Sequence, residues 1–179
     1  MNREKTLKKL RKVIKSGYTP SRGFQIYTMP NSSILNCFAH ACFNMTDEVC
    51  RENNITLSDS DSFRYFCDFS QDFTKKSLFY FIEETGLEIM PCEKHTSLKS
   101  NEWEIGLFFA IGDTDYDDFH FLLRENNNVW SSKFGSCPKV EKVKDKKDFS
   151  YLLSDHSTSY YHLEGFYKLK NPYADSREK

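Results

Sequence analysis

The sequence predicts an α+β fold in a single domain. Helix-type spacing of apolar residues dominates the first half of its 179 residues, whereas short β-branched and aromatic segments separated by turn residues dominate the second half. Because the helices come before the strands instead of alternating with them, the strands are expected to form an antiparallel sheet. We divide this domain, residues 1–179, into a basic amphipathic helix at 1–15, a helical half at 31–85 and a sheet half at 87–170.

The first predicted helix is basic and amphipathic. Lys and Arg surround a face of four apolar residues, which are Leu7, Leu10, Val13 and Ile14. Such a helix is typical of a protein that binds a membrane surface or a nucleic acid, or of a helix that packs on its own domain. We expect the last of these, since a charged outer face on a packed helix is the commonest case.

Three further helices are predicted before residue 87. Helical spacing runs from 35 to about 51, a second segment begins near 60, and a third begins near 70 and ends at Gly86. Polar residues able to cap a helix N-terminus stand at the last two starts, and glycine is the usual residue just after a helix C-terminus.

The second half has strand composition. Five apolar segments bounded by turn residues predict strands, at 87–90, 103–111, 119–125, 129–134 and 160–170. The asparagine-rich segment "RENNNVW" predicts a hairpin between the third and fourth, because asparagine tolerates positive φ. Residues Lys147 to Leu153 are predicted to form a short helix before the last strand.

Composition excludes several classes of function. The net charge of −1 means that the charge of the whole molecule gives no case for binding nucleic acid or anionic lipid, and no apolar run approaches the roughly 20 residues of a membrane helix. The N-terminus lacks the apolar core of a secretory signal, so we expect a cytoplasmic protein with reduced cysteines. No cofactor is expected, and no nucleic-acid or membrane partner.

Cys37 raises the main functional question. In "NSSILNCFAHACFN", residues 31–44, it stands where a polar loop becomes an apolar helix. Most such cysteines are small buried hydrophobes, but the first turn of a helix also favours a thiolate. A zinc site formed by Cys37, His40 and Cys42 is disfavoured, because all three fall within one apolar helix instead of the loop-type spacing of structural zinc ligands.

A nucleophilic cysteine requires a histidine, and His120 is the best placed of the five. It begins the predicted strand 119–125, after an acidic loop, and strand alternation puts it opposite the apolar residues Phe119 and Phe121. His40, one turn after Cys37, is expected to serve packing or capping. The remaining histidines lie in polar loops or in the last strand.

A cysteine that opens a central helix, followed by a histidine that starts a strand of an antiparallel sheet, resembles the papain-like cysteine peptidases over residues 31–135. In that superfamily an amide residue precedes the cysteine by about six positions and helps to form the oxyanion hole; Asn31 has this spacing. The family's helper residue follows the histidine strand in an Asn-Ser-Trp-Gly motif, and "SKFG" at 132–135 places Ser132 there.

The resemblance implies a cysteine hydrolase that cleaves a peptide, isopeptide or amide bond of a protein or peptide substrate. Cys37 is then the nucleophile, His120 its base and acid, and Asn31 an oxyanion donor. Ser132, or alternatively Asp118, is the partner of His120, in a catalytic dyad or triad. Transglutamination and deamidation use the same residues, and these alternatives stay open. A different alternative is a non-catalytic protein-interaction module built on a related fold.

Overall fold

The structure is a computed structural model and describes residues 3–19, 36–43, 47–55, 71–111, 119–125, 129–133, 140–144, 151–153 and 160–174. These ranges contain four helices, α1 (Arg3–Lys15), α2 (Cys37–Phe43), α3 (Asp47–Asn53) and α4 (Gln71–Glu84). None of them is long and apolar enough to span a membrane. The helix expected near residue 60 lies outside the described ranges.

The strands form one antiparallel sheet. Its strands are β1 (Glu88–Cys92), β2 (Glu102–Ile111), β3 (Phe119–Arg124), β4 (Val129–Ser132), β5 (Glu141–Lys144), β6 (Tyr151–Leu153) and β7 (Tyr160–Lys170). The order across the sheet is β1-β7-β2-β3-β4-β5, and β6 also pairs with β7. Every pairing is antiparallel. The α+β prediction is therefore confirmed.

Two parts of the sheet differ from the prediction. The helix predicted for Lys147 to Leu153 is wrong over its last three residues, because Tyr151–Leu153 form β6 and pair with the β7 segment 160–162. Residues 147–150 lie outside the described ranges. A short apolar run fits either state, and here the edge of β7 decides. Strand β5 was not predicted; its charged residues, Glu141–Lys144, are typical of an edge strand.

The N-terminal helix packs on its own domain, as expected. All four apolar residues of its predicted face are buried. The last carbonyl groups of the segment are held by Asn171, whose side-chain amide donates to the carbonyl oxygens of Ile14 and Tyr18 at 3.0 and 2.6 Å. Arg11 donates to the Glu84 carbonyl oxygen at 2.6 Å and so joins α1 to the end of α4.

The sheet has a different apolar cluster on each face. On the face that meets the helices, Phe38 of α2 packs on Phe121 of β3, with ring centroids 5.5 Å apart, and Cys37 belongs to the same cluster. The opposite face carries a smaller cluster, formed by Phe108, Leu122, Trp130 and Tyr161. Successive residues of a strand point to opposite faces, so β3 contributes to both clusters.

Candidate active site

Helix α2 begins at a well-formed cap. The Asn36 side-chain oxygen accepts the Ala39 backbone N–H at 2.9 Å, and the Asn36 carbonyl accepts the His40 N–H at 2.9 Å. An N-cap of this kind compensates one of the amide groups that have no acceptor inside the helix. It makes Cys37 the first helical residue. All seven residues of α2 are buried.

The Cys37 thiol lies beside the strand that carries His120. Its Sγ is 3.9 Å from the Phe119 carbonyl oxygen, and the side chain is 6% exposed. The Glu125 N–H donates across to the Val129 carbonyl of β4 at 2.8 Å. Because the hydrogen-bonding groups of a strand alternate between its two edges, the Phe119 carbonyl points to the same edge as Glu125.

Within the described part of β4, no residue pairs with Phe119 on this edge of β3. The β3–β4 register ends where Leu122 faces Ser132. The carbonyl of Phe119 lies three residues beyond that point, and the Cys37 thiol makes the contact there. The start of α2 therefore lies at the end of the β3–β4 ladder.

The structure brings His120 and Ser132 together. The His120 Nε2 lies 2.8 Å from the Ser132 hydroxyl oxygen, and both side chains are buried. The ring also packs on Tyr161, at a centroid distance of 5.6 Å, which places it on the face opposite α2. Cys37 and His120 thus lie on different sides of β3, and the thiol contacts the backbone of Phe119, the residue before His120.

Burial keeps His120 neutral. Loss of water contact, with a smaller contribution from the positive charge that His40 can carry, lowers the pKa of His120 to about 3. At neutral pH the ring is therefore a neutral imidazole, the form that can accept a proton. The Ser132 hydroxyl is a partner suited to a neutral ring, because it can donate or accept and carries no charge.

A second histidine, His40, also meets a serine of β4, a contact that was not predicted. The His40 Nε2 lies 2.9 Å from the Ser131 hydroxyl oxygen, and that hydroxyl donates to the Glu125 carboxylate at 2.6 Å. Ser131 and Ser132 are consecutive on β4 and point to opposite faces, so each meets one histidine. The predicted hairpin between the third and fourth strands was the signal that placed Ser132 beside His120. No pattern in the sequence predicted the contact between Ser131 and a residue of α2.

His40 is shielded from water and lies near the charge of Lys133. Burial, followed by the positive charge of Lys133, lowers the pKa of His40 to about 3. Lys133 itself is fully buried at the end of β4. Burial, and then the charge that Cys37 can carry, raises the pKa of the Cys42 thiol well above its ordinary value. Cys42 is therefore unsuited to act as the nucleophile.

The remaining predicted site residues, Asn31 and Asp118, lie outside the described residues. Among those that are described, no three His, Cys, Asp or Glu side chains converge as a metal site requires. Comparison of the chain with models of protein families, with curated proteins and with solved structures found no match. A function must therefore be inferred from the geometry of Cys37 and the two histidines.

Proposed function

We propose that the protein is a papain-like cysteine hydrolase that cleaves a peptide, isopeptide or amide bond. Cys37 is the nucleophile, and His120 is the base and acid. One observation carries the proposal: the Cys37 Sγ lies 3.9 Å from the carbonyl oxygen of Phe119, the residue before His120. A second supports it, since Ser132 holds the His120 Nε2 at the position of the family's helper residue.

The proton of the thiol passes to Nδ1 of His120, because Ser132 engages Nε2. The sulfur keeps the electron pair of the S–H bond and attacks the substrate carbonyl carbon, and the carbonyl oxygen becomes an oxyanion. The backbone N–H of Cys37 and the Asn31 amide stabilise this oxyanion, each donor being worth about 3 kcal/mol.

The intermediate collapses as the carbon–nitrogen bond breaks, and protonated His120 gives its proton to the leaving amine. Water then hydrolyses the thioester, with His120 as base, and regenerates the thiol. If an amine enters in place of water, the same steps give transamidation. If a glutamine side chain is the substrate, they give deamidation.

Protonated His120 is the least favourable species in this catalytic cycle. With a pKa of about 3, His120 does not hold a charge at rest, so the resting ring is a neutral imidazole. A neutral general base still accelerates a reaction, typically by about 10² to 10⁴-fold, if the proton moves as the new bond forms. Asp118, two residues before His120, is the alternative source of a compensating negative charge.

A non-catalytic interaction module is the second candidate, and burial is the observation that favours it. Cys37 is 6% exposed and His120 is 2% exposed, and the thiol contacts a backbone carbonyl. A free cysteine that is buried in this way behaves as a small hydrophobe. In that case the residues of the site stabilise the fold and have no chemical role.

Covalent trapping separates the two candidates. The protein is incubated at neutral pH with a peptide-based electrophile, and the modified cysteines are mapped by mass spectrometry. Cys92 is the internal control, because it is less buried than Cys37 while its pKa is raised to about 11, chiefly by burial. The enzyme proposal expects modification of Cys37 ahead of Cys92. Modification of Cys92 first, or of all thiols equally, would favour the interaction module.

A further inference from the structure

On the Cys37 side of the sheet, His40 belongs to a chain of hydrogen bonds, which we call the His40 relay. Glu125, Ser131 and His40 form a chain of two hydrogen bonds, 2.6 and 2.9 Å long. The Ser131 hydroxyl has one hydrogen, which it donates to the Glu125 carboxylate. Its oxygen must therefore accept from His40, so the proton of the neutral ring is on Nε2 and the lone pair is on Nδ1.

The His40 Nδ1 is an unused acceptor. The residue is 1% exposed, and among the described residues no donor is within hydrogen-bond distance of this nitrogen. Roughly 90% or more of buried polar groups in native proteins have a partner, and an exception requires an explanation, such as a catalytic role or a bound water or ion. A packing or capping histidine would not require a buried carboxylate and hydroxyl to select its tautomer.

Helix geometry places His40 and the thiol on the same face of α2. Cys37 and His40 are three residues apart on α2, and side chains at this spacing are neighbours on one face of a helix. Long side chains of a helix lean toward its N-terminus, which is the direction of Cys37. Both residues also lie on the helix-facing side of the sheet, whereas the His120 ring lies on the other side.

We propose that His40 Nδ1 is the group that takes the proton from Cys37, with Ser131 and Glu125 as positioning residues. This inference rests on the proposed thiol hydrolysis and changes the identity of its first base. The S–H bond breaks, the N–H bond forms at Nδ1, and the electron pair left on sulfur forms the bond to the substrate carbonyl carbon. The proton on His40 is then given to the leaving amine.

The charges around His40 support one protonated ring at a time. The charged groups that act on His40 are Glu125, through Ser131, Lys133, and His120 from the other side of the sheet. Cys37 and Cys42 are the other titratable residues of α2. Glu125 stabilises a positive ring, Lys133 opposes it, and a positive charge on either histidine disfavours a charge on the other. His40 and His120 therefore compete for the same proton, and an experiment can tell which one receives it.

The test compares His40→Gln with His120→Gln in the electrophile-trapping assay on the full chain. Glutamine can keep an N–H donor for Ser131 but supplies no base. We expect His40→Gln to slow trapping of Cys37 at neutral pH by about 100-fold or more. The rate should recover as the pH rises toward about 8.5, where an ordinary thiol ionises by itself. Glu125→Gln, which keeps an acceptor for Ser131 and removes the charge, should show a smaller loss with the same recovery.

Two outcomes overturn the inference. A wild-type rate in His40→Gln, with loss only in His120→Gln, would make His120 the base and leave the proposed function standing. Nitrogen NMR of the wild-type protein gives an independent measurement that does not depend on the folding of a variant, and a proton on Nδ1 of His40 would contradict the relay. If wild-type Cys37 is not trapped ahead of Cys92, the proposed function itself fails.

Discussion

Acidification should destabilise this protein long before its carboxylates titrate, because His40 and His120 are buried as neutral rings. Burial lowers the pKa of each from 6.5 to about 3. Below the unfolded value of 6.5, the unfolded chain binds two protons that the folded protein does not bind. Folding stability is therefore complete above that pH and is lost as the pH falls from 6.5 toward the folded value of about 3.

The size of the effect follows from these pKa values. Once the pH is well below the pKa of histidine in the unfolded chain, each buried histidine lowers the free energy of unfolding by about 1.4 kcal/mol per pH unit. Between about pH 7 and about pH 5 the loss is about 2 kcal/mol for each ring, or about 4 kcal/mol for both. That is a large part of the roughly 5–15 kcal/mol that stabilises an ordinary domain. Carboxyl groups titrate near pH 4, so this window reports mainly on histidine.

Urea unfolding followed by tryptophan fluorescence measures this loss, because Trp103 and Trp130 are both buried. The free energy of unfolding is extrapolated to water at each pH. In His120→Gln the difference between the two pH values should fall to about half, and the same is expected of His40→Gln. A free energy that changes by less than about 1 kcal/mol across the window would refute the buried, neutral state of the two rings.

Three further predictions concern packing, a buried ion pair and the partner of His120. Leu10→Ala should lower the free energy of unfolding by about 3 kcal/mol, because Leu10 lies on the buried face of α1 and is fully buried. As a control, substitution of the exposed Lys8 by alanine should change the free energy of unfolding by less than about 0.5 kcal/mol in the same denaturation series. Glu104→Gln should lower the free energy of unfolding by about 3 kcal/mol, because Glu104 is fully buried and pairs with Arg124 at 2.6 Å. Thermal or urea unfolding measures this change, and an unchanged unfolding midpoint would mean that the ion pair contributes nothing to stability. Ser132→Ala should slow trapping of Cys37 by about tenfold or less, since a neutral hydrogen bond contributes about 1 kcal/mol; complete loss would show that the hydroxyl does more than orient the ring.

Local patterns in the sequence were sufficient for the main elements of the fold. The amphipathic spacing of Leu7 and Leu10 predicted α1 and its buried face, and the change from helix-type to strand-type segments predicted an antiparallel sheet. Cys37 was expected at the start of a helix and stands there. Each of these features depends on residues within one or two turns, or within one strand, so a short window of sequence contains the whole signal.

Contacts between distant segments required the tertiary structure. The segment Tyr151–Leu153 became a strand because β7 offered an edge to pair with. His40 was expected to be a packing or capping residue. Its hydrogen bond to Ser131, 91 residues away, depends on which turn of α2 lies over β4. Alternation along β3 correctly separated His120 from Phe119 and Phe121, but only the position of α2 shows that the helix covers the opposite face. Helical and strand periodicity are encoded locally, whereas the alignment of a helix on a sheet is set by the packing of the whole core.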